Sequence, residues 1–258
     1  MLSSLPMLIF HTIDDQGSIV RFPPRAFGRN MGLLAENGYR TLPLLQAAEH
    51  LRQGQPFPPR SFVLTFDDGY QSVYREAFPV LRHLGFDATV FLLTGSRAPR
   101  HAQERLPTYE QQPMLSWQEI REMHHCGIEF GAHTCTHPDL PRLTVQDIER
   151  EIVHSKSIIE DVLGAPVWSF AYPNGRYDGR SREVASRHFA CACSDTLALV
   201  TQNSDRYALE RIDSYYLRPA GLFDLILTPW FPWYVRARRI TRGTKRALQS
   251  ALGGRVGR

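Results

Sequence analysis

The sequence predicts an α/β protein in which parallel strands curl into a distorted (β/α)7-type barrel. Three observations carry this reading. Seven short apolar runs alternate with segments of helical period, the pattern of strands joined by helical crossovers. A chain of 258 residues, 43% of them hydrophobic, can bury one large core, and single barrels of about 250 residues are ordinary. Finally, Asp67, Asp68, His11, His133 and Tyr172 each fall just after an apolar run, and loops at the carboxyl ends of parallel barrel strands build active sites.

The first strand is predicted over Leu5 to Phe10. Phe27, Met31 and Leu34 then share a helical face ahead of Asn37-Gly38. Ser61 to Phe66 is the second strand, followed by a helix on which Tyr74, Phe78 and Leu81 face one way until Gly85 stops it. Asp87 to Leu93 is the third, and beyond it residues 96–113, rich in Arg, Gln and Pro, lack periodicity and form an excursion from the barrel. Ser116-Trp117-Gln118-Glu119 has the form of a capping box for a helix that Gly127 ends, with the Trp117 ring locking that helix to the barrel. Ile128 to Ala132 is the fourth strand. Thr144 with Asp147 is a weaker cap, after which Ile148, Ile152, Ile159 and Leu163 repeat at helical spacing up to Gly164, as a scaffold helix does. Val167 to Ala171, Phe189 to Cys193 and Ala208 to Ile212 complete the set.

Two motifs carry chemistry. Thr65-Phe66-Asp67-Asp68-Gly69-Tyr70 places adjacent carboxylates at a strand end, and His133-Thr134-Cys135-Thr136-His137 supplies two imidazoles downstream. Two neutral imidazoles and one carboxylate hold a divalent metal while leaving a position open for water or substrate. Asp68, His133 and His137 would be that set, and Asp67 would stay free to take a proton from the attacking water. Asp-Asp-Gly is also an ordinary turn sequence and the chain has ten histidines, so it is the two motifs together, in this order, that point to a metal hydrolase. The donor types favour Zn2+, and Co2+, Ni2+ or Mn2+ fit the same set.

These residues resemble the polysaccharide deacetylases of the NodB-homology type, carbohydrate esterase family four. The likeness covers roughly residues 5 to 215: Thr65 to Tyr70 matches the family's first motif, Gly131 to Leu140 its second, and Phe170-Ala171-Tyr172-Pro173-Asn174-Gly175 its Pro-x-Gly loop. The resemblance implies that Asp67 is the general base, that Asp68, His133 and His137 bind the metal, and that the Tyr172 backbone N–H helps hold the oxyanion. Pro173 and Tyr70 are expected at the substrate, with Arg211. In many family members an arginine two residues before the loop proline orients the base. This chain has Ala171 there, so Arg211 is also the substitute from another strand. The family's late Leu-x-His motif lacks its histidine. Leu8-Ile9-Phe10-His11-Thr12-Ile13 instead resembles the Tyr-His-x-Ile opening of a circularly rearranged branch that deacetylates poly-N-acetylglucosamine, which implies His11 as the acid.

Some features stay open at this level. Residues 96–113 are a mobile loop or one wall of a glycan groove with Tyr109 as a stacking platform. Cys135 is a small packing residue or a fourth ligand, and the four cysteines lack the spacing of a structural zinc site. The catalytic barrel is assigned to residues 1–220 and an aromatic, then basic, segment to 221–258. Leu222 to Tyr234 is apolar but too short and proline-broken to span a bilayer. Residues 236–258 carry +8 and no acid, leaving −4 for residues 1–235. This segment either lies on an anionic membrane or packs across the barrel. The charge lacks a nucleic-acid reader motif, so no nucleic-acid partner is expected. Met1 to Met7 has no basic leader pattern, so the expected location is cytoplasmic, peripheral on the inner face of the membrane.

The function expected is a metal-dependent hydrolase that removes N-acetyl groups from amino sugars of a bacterial polysaccharide or lipid-linked glycan precursor. The alternatives are a hydrolase of another amide or an O-acetyl ester on the same fold, and a non-catalytic glycan- or membrane-binding relative.

Overall fold

A computed structural model describes residues 4–15 and 21–253. The apolar runs form strands β1 (Met7–Phe10), β2 (Ser61–Phe66), β3 (Thr89–Leu92), β4 (Glu129–Ala132), β5 (Ser169–Ala171), β6 (Cys191–Cys193) and β7 (Ile212–Asp213). They pair in the order β6-β5-β4-β3-β2-β1-β7, every contact parallel, and a short strand at Arg40–Thr41 joins the start of β2. The seventh run touches both edges of this curled sheet. Leu209 bridges in parallel to Cys193, whereas Ile212 and Asp213 pair with Leu8 and Ile9. Changing partners over so short a span is why Ala208 to Ile212 does not form one regular strand.

Strand β2 is buried along its whole length, as expected of a parallel strand covered on both faces. Alternate residues serve different cores. Phe62, Leu64 and Phe66 pack outward with Phe27, Met31 and Leu34, while Val63 packs inward with Met7, Phe91, Cys191, Cys193 and Leu209. The cysteines are free thiols, two of them filling this interior. Gly131 faces the same interior and must lack a side chain, because a Cβ there would come within 2.5 Å of the Phe91 ring.

Helices α1 (Pro24–Glu36), α2 (Leu44–Gln53), α3 (Phe78–Leu84), α4 (Trp117–His125), α5 (Val145–Leu163) and α6 (Gly179–His188) surround the sheet. The box at α4 forms as read: Ser116 Oγ accepts from the Glu119 N–H at 3.2 Å, and Glu119 Oε2 accepts from the Ser116 N–H at 2.7 Å. Tyr74, read with Phe78 on one helix, lies in a π-helical turn, Val73–Ala77, that precedes α3. Pro79, in the first turn of α3, has no N–H to donate and crowds the carbonyl four residues back, which widens that turn. Helices α2 and α6 are absent from the sequence reading, α6 because its periodicity is weak. Their signals were Gly54 in the left-handed conformation after α2 and an Asp178–Ser181 capping box before α6.

A division at residue 220 does not divide the core. Phe223 and Ile226, in a 3-10 turn, and Phe231 and Val235, on α7 (Phe231–Gly253), are buried in the same cluster as the barrel helices. The Tyr39 hydroxyl donates to the Ile226 carbonyl at 3.1 Å. Among the described residues no helix is long and apolar enough to cross a membrane. Met1, Arg255 and Arg258 lie outside the described residues, as do the side chains of Lys245 and Arg246.

At the foot of the barrel, burial pushes the Glu129 carboxyl up to about 7, only partly offset by hydrogen bonds from Ser169, at 2.6 Å, and Thr89. Its folded value exceeds the ordinary 4.5, so the folded chain keeps a proton that the unfolded chain releases. The resulting stability is complete below the unfolded value and is lost as pH rises through 7. Unfolding free energies measured between pH 5 and 8 should therefore fall by about 2 kcal/mol in the wild type beyond the change in Glu129→Gln. Parallel pH profiles would exclude Glu129 as the source.

Candidate metal and catalytic site

The carboxyl ends of the strands enclose a cavity of about 300 Å3. Strand β2 enters it through Asp67, whose N–H extends the ladder to the Phe10 carbonyl at 3.0 Å. Asp68 then takes φ 72° and Gly69 φ 86°, so the chain turns and both carboxylates line the cavity. A Cβ on Gly69 would sit 2.6 Å from Leu106. Left-handed backbone is unfavourable outside glycine, yet Asp68, Glu110, His137 and Asn174 all adopt it along this cavity. Backbone strain is concentrated at the site, where the surrounding packing has to hold it.

His133 follows β4 directly. Its Nδ1 lies 2.7 Å from the Ala171 carbonyl, which fixes that nitrogen as the N–H donor and leaves Nε2 with its lone pair. His137 has Nδ1 2.9 Å from the Tyr109 hydroxyl, and its N–H donates to Thr134 Oγ1 at 3.1 Å. Both Nε2 atoms face Asp68 Oδ1, at 3.4 and 3.6 Å, and that oxygen is buried with no hydrogen-bond partner among the described residues. The three donor atoms lie within 4.8 Å of one another. An orphaned carboxylate oxygen facing two imidazole lone pairs fits a divalent cation. Burial lowers His137 to about 4, keeping it neutral as a metal ligand must be.

Asp67 stands apart from this donor set. It is buried, and Arg211 grips it from the closing segment: Nη1 donates to Oδ1 at 2.7 Å and Nη2 to Oδ2 at 2.8 Å. Burial opposes ionisation, but the Arg211 guanidinium, through its charge and its hydrogen bonds, overcomes it and holds the carboxyl at about 2. Arg211 Nε donates to the Ser194 carbonyl at 2.9 Å, and the residue is 1% exposed. Arg211 therefore orients Asp67, with most of its donors committed to Asp67, Thr65 and Ser194, while the residue itself lines the cavity. His11, half-buried, lines the cavity, and its Nδ1 has no partner among the described residues.

The Pro-x-Gly loop needs a correction. The Tyr172 N–H donates to the Cys193 carbonyl at 3.0 Å, and its hydroxyl to the Tyr207 carbonyl at 2.9 Å. A donor committed to the sheet cannot also face an oxyanion, so the cavity wall there is Asn174, Gly175 and Arg176. Pro173 and Tyr70 are buried and do not line this cavity, Tyr70 lining a neighbouring one instead. Residues 96–113 do form a wall, through Tyr109 and Glu110. The Cys135 thiol is turned to Thr94 at 3.8 Å and pushed up to about 11 by burial, outside the donor set.

The family model for polysaccharide deacetylases matches residues 54–189, just over half of the chain. The chain belongs to the polysaccharide deacetylase family. The deacetylase is 29% identical over 211 residues to YxkH of Bacillus subtilis, a polysaccharide deacetylase by name, the match covering 81% of this chain and 71% of that protein. It is 32% identical over 133 residues to the poly-β-1,6-N-acetyl-D-glucosamine N-deacetylase of Escherichia coli K12. That match takes in 48% of this chain and only 20% of the relative. The fold is that of the Streptococcus pyogenes deacetylase PplD, with a TM-score of 0.76 at 22% identity over 87% of this chain and 96% of that one.

Two contacts within the deacetylase site lay beyond sequence reasoning. Glu151, on scaffold helix α5, accepts the N–H groups of Cys135 and Thr136 at 2.9 Å each, and the Thr136 hydroxyl at 2.8 Å. It fastens the loop between the two histidines. Tyr109, read as a stacking platform, instead holds the His137 ring. Groups that orient metal ligands are worth about 10- to 100-fold in metal affinity. Chelator competition should show losses of about tenfold or more for Glu151→Ala and Tyr109→Phe, and wild-type affinity in both would remove them from this role. Arg211→Met leaves the Asp67 carboxylate buried and unpaired. Chemical unfolding should report a loss of about 3–5 kcal/mol, and Asp67→Asn in the same chain should recover much of it.

Proposed function

We propose that this deacetylase removes N-acetyl groups from amino-sugar units of a bacterial glycan, either a poly-N-acetylglucosamine-type polymer or a lipid-linked precursor. One observation carries the reading: an ionised carboxylate, Asp67, is held by Arg211 directly beside a separate Asp68–His133–His137 donor set. General base and metal ligands are thereby distinct, as amide hydrolysis through an activated water requires.

Asp68, His133 and His137 would hold the divalent cation, Zn2+ by donor type, with Co2+, Ni2+ and Mn2+ able to take the same atoms. When bound, it polarises the acetyl carbonyl and makes water acidic enough to attack near neutral pH. Asp67 takes the proton of the attacking water, and Arg211 keeps the carboxylate in place while its charge changes. His11 gives a proton to the departing amine. With the Tyr172 N–H committed to the sheet, Asn174 on the cavity wall is the residue of this loop left to help hold the developing oxyanion. The lipid-linked form of the reading puts the enzyme on the cytoplasmic face of a membrane, in contact through residues 222–258.

Acetate release is the test, from N-acetylglucosamine oligomers of several linkages and from a lipid-linked amino sugar. Asp67→Asn should keep its metal and lose about 100-fold or more of turnover. Full activity in that variant rejects Asp67 as the base. Absence of release by metal-loaded wild type rejects the N-acetyl substrate in favour of another amide or an ester.

A further inference from the structure

Helix α7 presents two unlike faces. Its inner face is part of the fold: Phe231 and Val235 are buried, and the Tyr234 hydroxyl donates to the Tyr216 carbonyl. Arg242, further along, donates to the Asp195 backbone carbonyl at 2.8 Å and also to its carboxylate. Asp195 lines the catalytic cavity, so the helix is fastened at the rim of the site.

Among the described residues the outer face has no such partners. Trp230, just before the helix, and Trp233 are 68% and 65% exposed, and Ile240 is 61% exposed. With the exposed Ala237 these residues are spaced three, four and three apart, which places them on one stripe. Arg236 and Arg239 are exposed beside it, and residues 225–258 contain no acid. On the other flank, Tyr215, Tyr216, Arg218, Pro219 and Arg238 line a second cavity of about 300 Å3, with two guanidinium groups and two phenol rings at its wall.

We infer that this face of α7 is a docking surface for an anionic phospholipid bilayer. Tryptophan rings settle at headgroup depth, arginines pair with lipid phosphates, and an apolar stripe shallow enough to leave the helix in the plane matches the interfacial mode of binding. The helix cannot cross the bilayer, since no described helix is apolar enough over that length. The charge selects this occupant over a second copy of the chain, because two such faces would bring arginines against arginines. Fastening of the inner face to Asp195 then holds the catalytic cavity close to the headgroups. Only this last consequence rests on the proposed activity; lipid binding is independent of it.

The test is co-sedimentation of the full chain with phosphatidylcholine vesicles, plain or containing about one third phosphatidylglycerol, at low and high salt. Binding is expected to the anionic vesicles only and to weaken with salt. The double variant Trp230→Ser, Trp233→Ser should lower partitioning by about tenfold or more, and Arg236→Gln with Arg239→Gln should lower it for anionic vesicles. Unchanged thermal unfolding midpoints establish that both variants fold. Equal recovery of wild type with and without anionic vesicles overturns the proposal. So does undiminished binding by the tryptophan variant, or concentration-dependent self-association that the same variant abolishes, which would assign the face to a second copy. Each of these outcomes leaves acetate release from soluble oligomers unaffected, so the two readings fail separately.

Discussion

The Asp67–Arg211 pair is the interaction on which the rest of the site depends. Arg211 sits between Leu209, which bridges to β6, and Ile212, which pairs with β1, so the residue that orients the carboxylate lies on the segment that bridges the edges of the sheet. Two buried charges are costly to desolvate, and such a pair persists only where its geometry is good and its remaining hydrogen bonds are met. Both conditions hold: the fork is bidentate, and the third nitrogen position finds the Ser194 carbonyl. Barrel closure and the ionisation of Asp67 are consequently one structural feature.

The donor set depends on the same sheet in a different way. Asp68 and His137 need left-handed backbone to bring their side chains round, and a strained loop holds its shape only if something outside it does the holding. The Ala171 carbonyl, Tyr109 and Glu151 do so from three other elements. Each fixes a ligand or its loop through a hydrogen bond to the side away from the donor atoms, leaving both Nε2 lone pairs toward Asp68.

The carboxyl-terminal helix shows how composition can be read correctly and still leave two outcomes standing. The aromatic run was compatible with packing or with a surface. In the structure the run is divided, because a helix has two sides: Phe231 and Val235 complete the core while Trp230 and Trp233 are exposed. A helical period distributes one apolar run between both environments.

The sequence by itself determined the carboxyl ends of the strands to within a residue, the order of the motifs and the identity of the donor atoms. Each strand announces itself by local apolar patterning, and two adjacent carboxylates at one strand end with two imidazoles four residues apart at another carry their chemistry with them. Asp67, Asp68, His133 and His137 were legible as one cluster for that reason, and His11 through the resemblance of Leu8 to Ile13 to a family opening. Which residue orients the base, which backbone faces the cavity and what holds the histidines were decided by tertiary structure alone. Arg211 is 144 residues from Asp67, Tyr109 is 28 from His137, and the Tyr172 N–H is lost to the cavity through its bond to Cys193. Such pairings leave no local pattern, since a hydrogen bond between distant segments depends on where the sheet brings them and not on their neighbours in the chain.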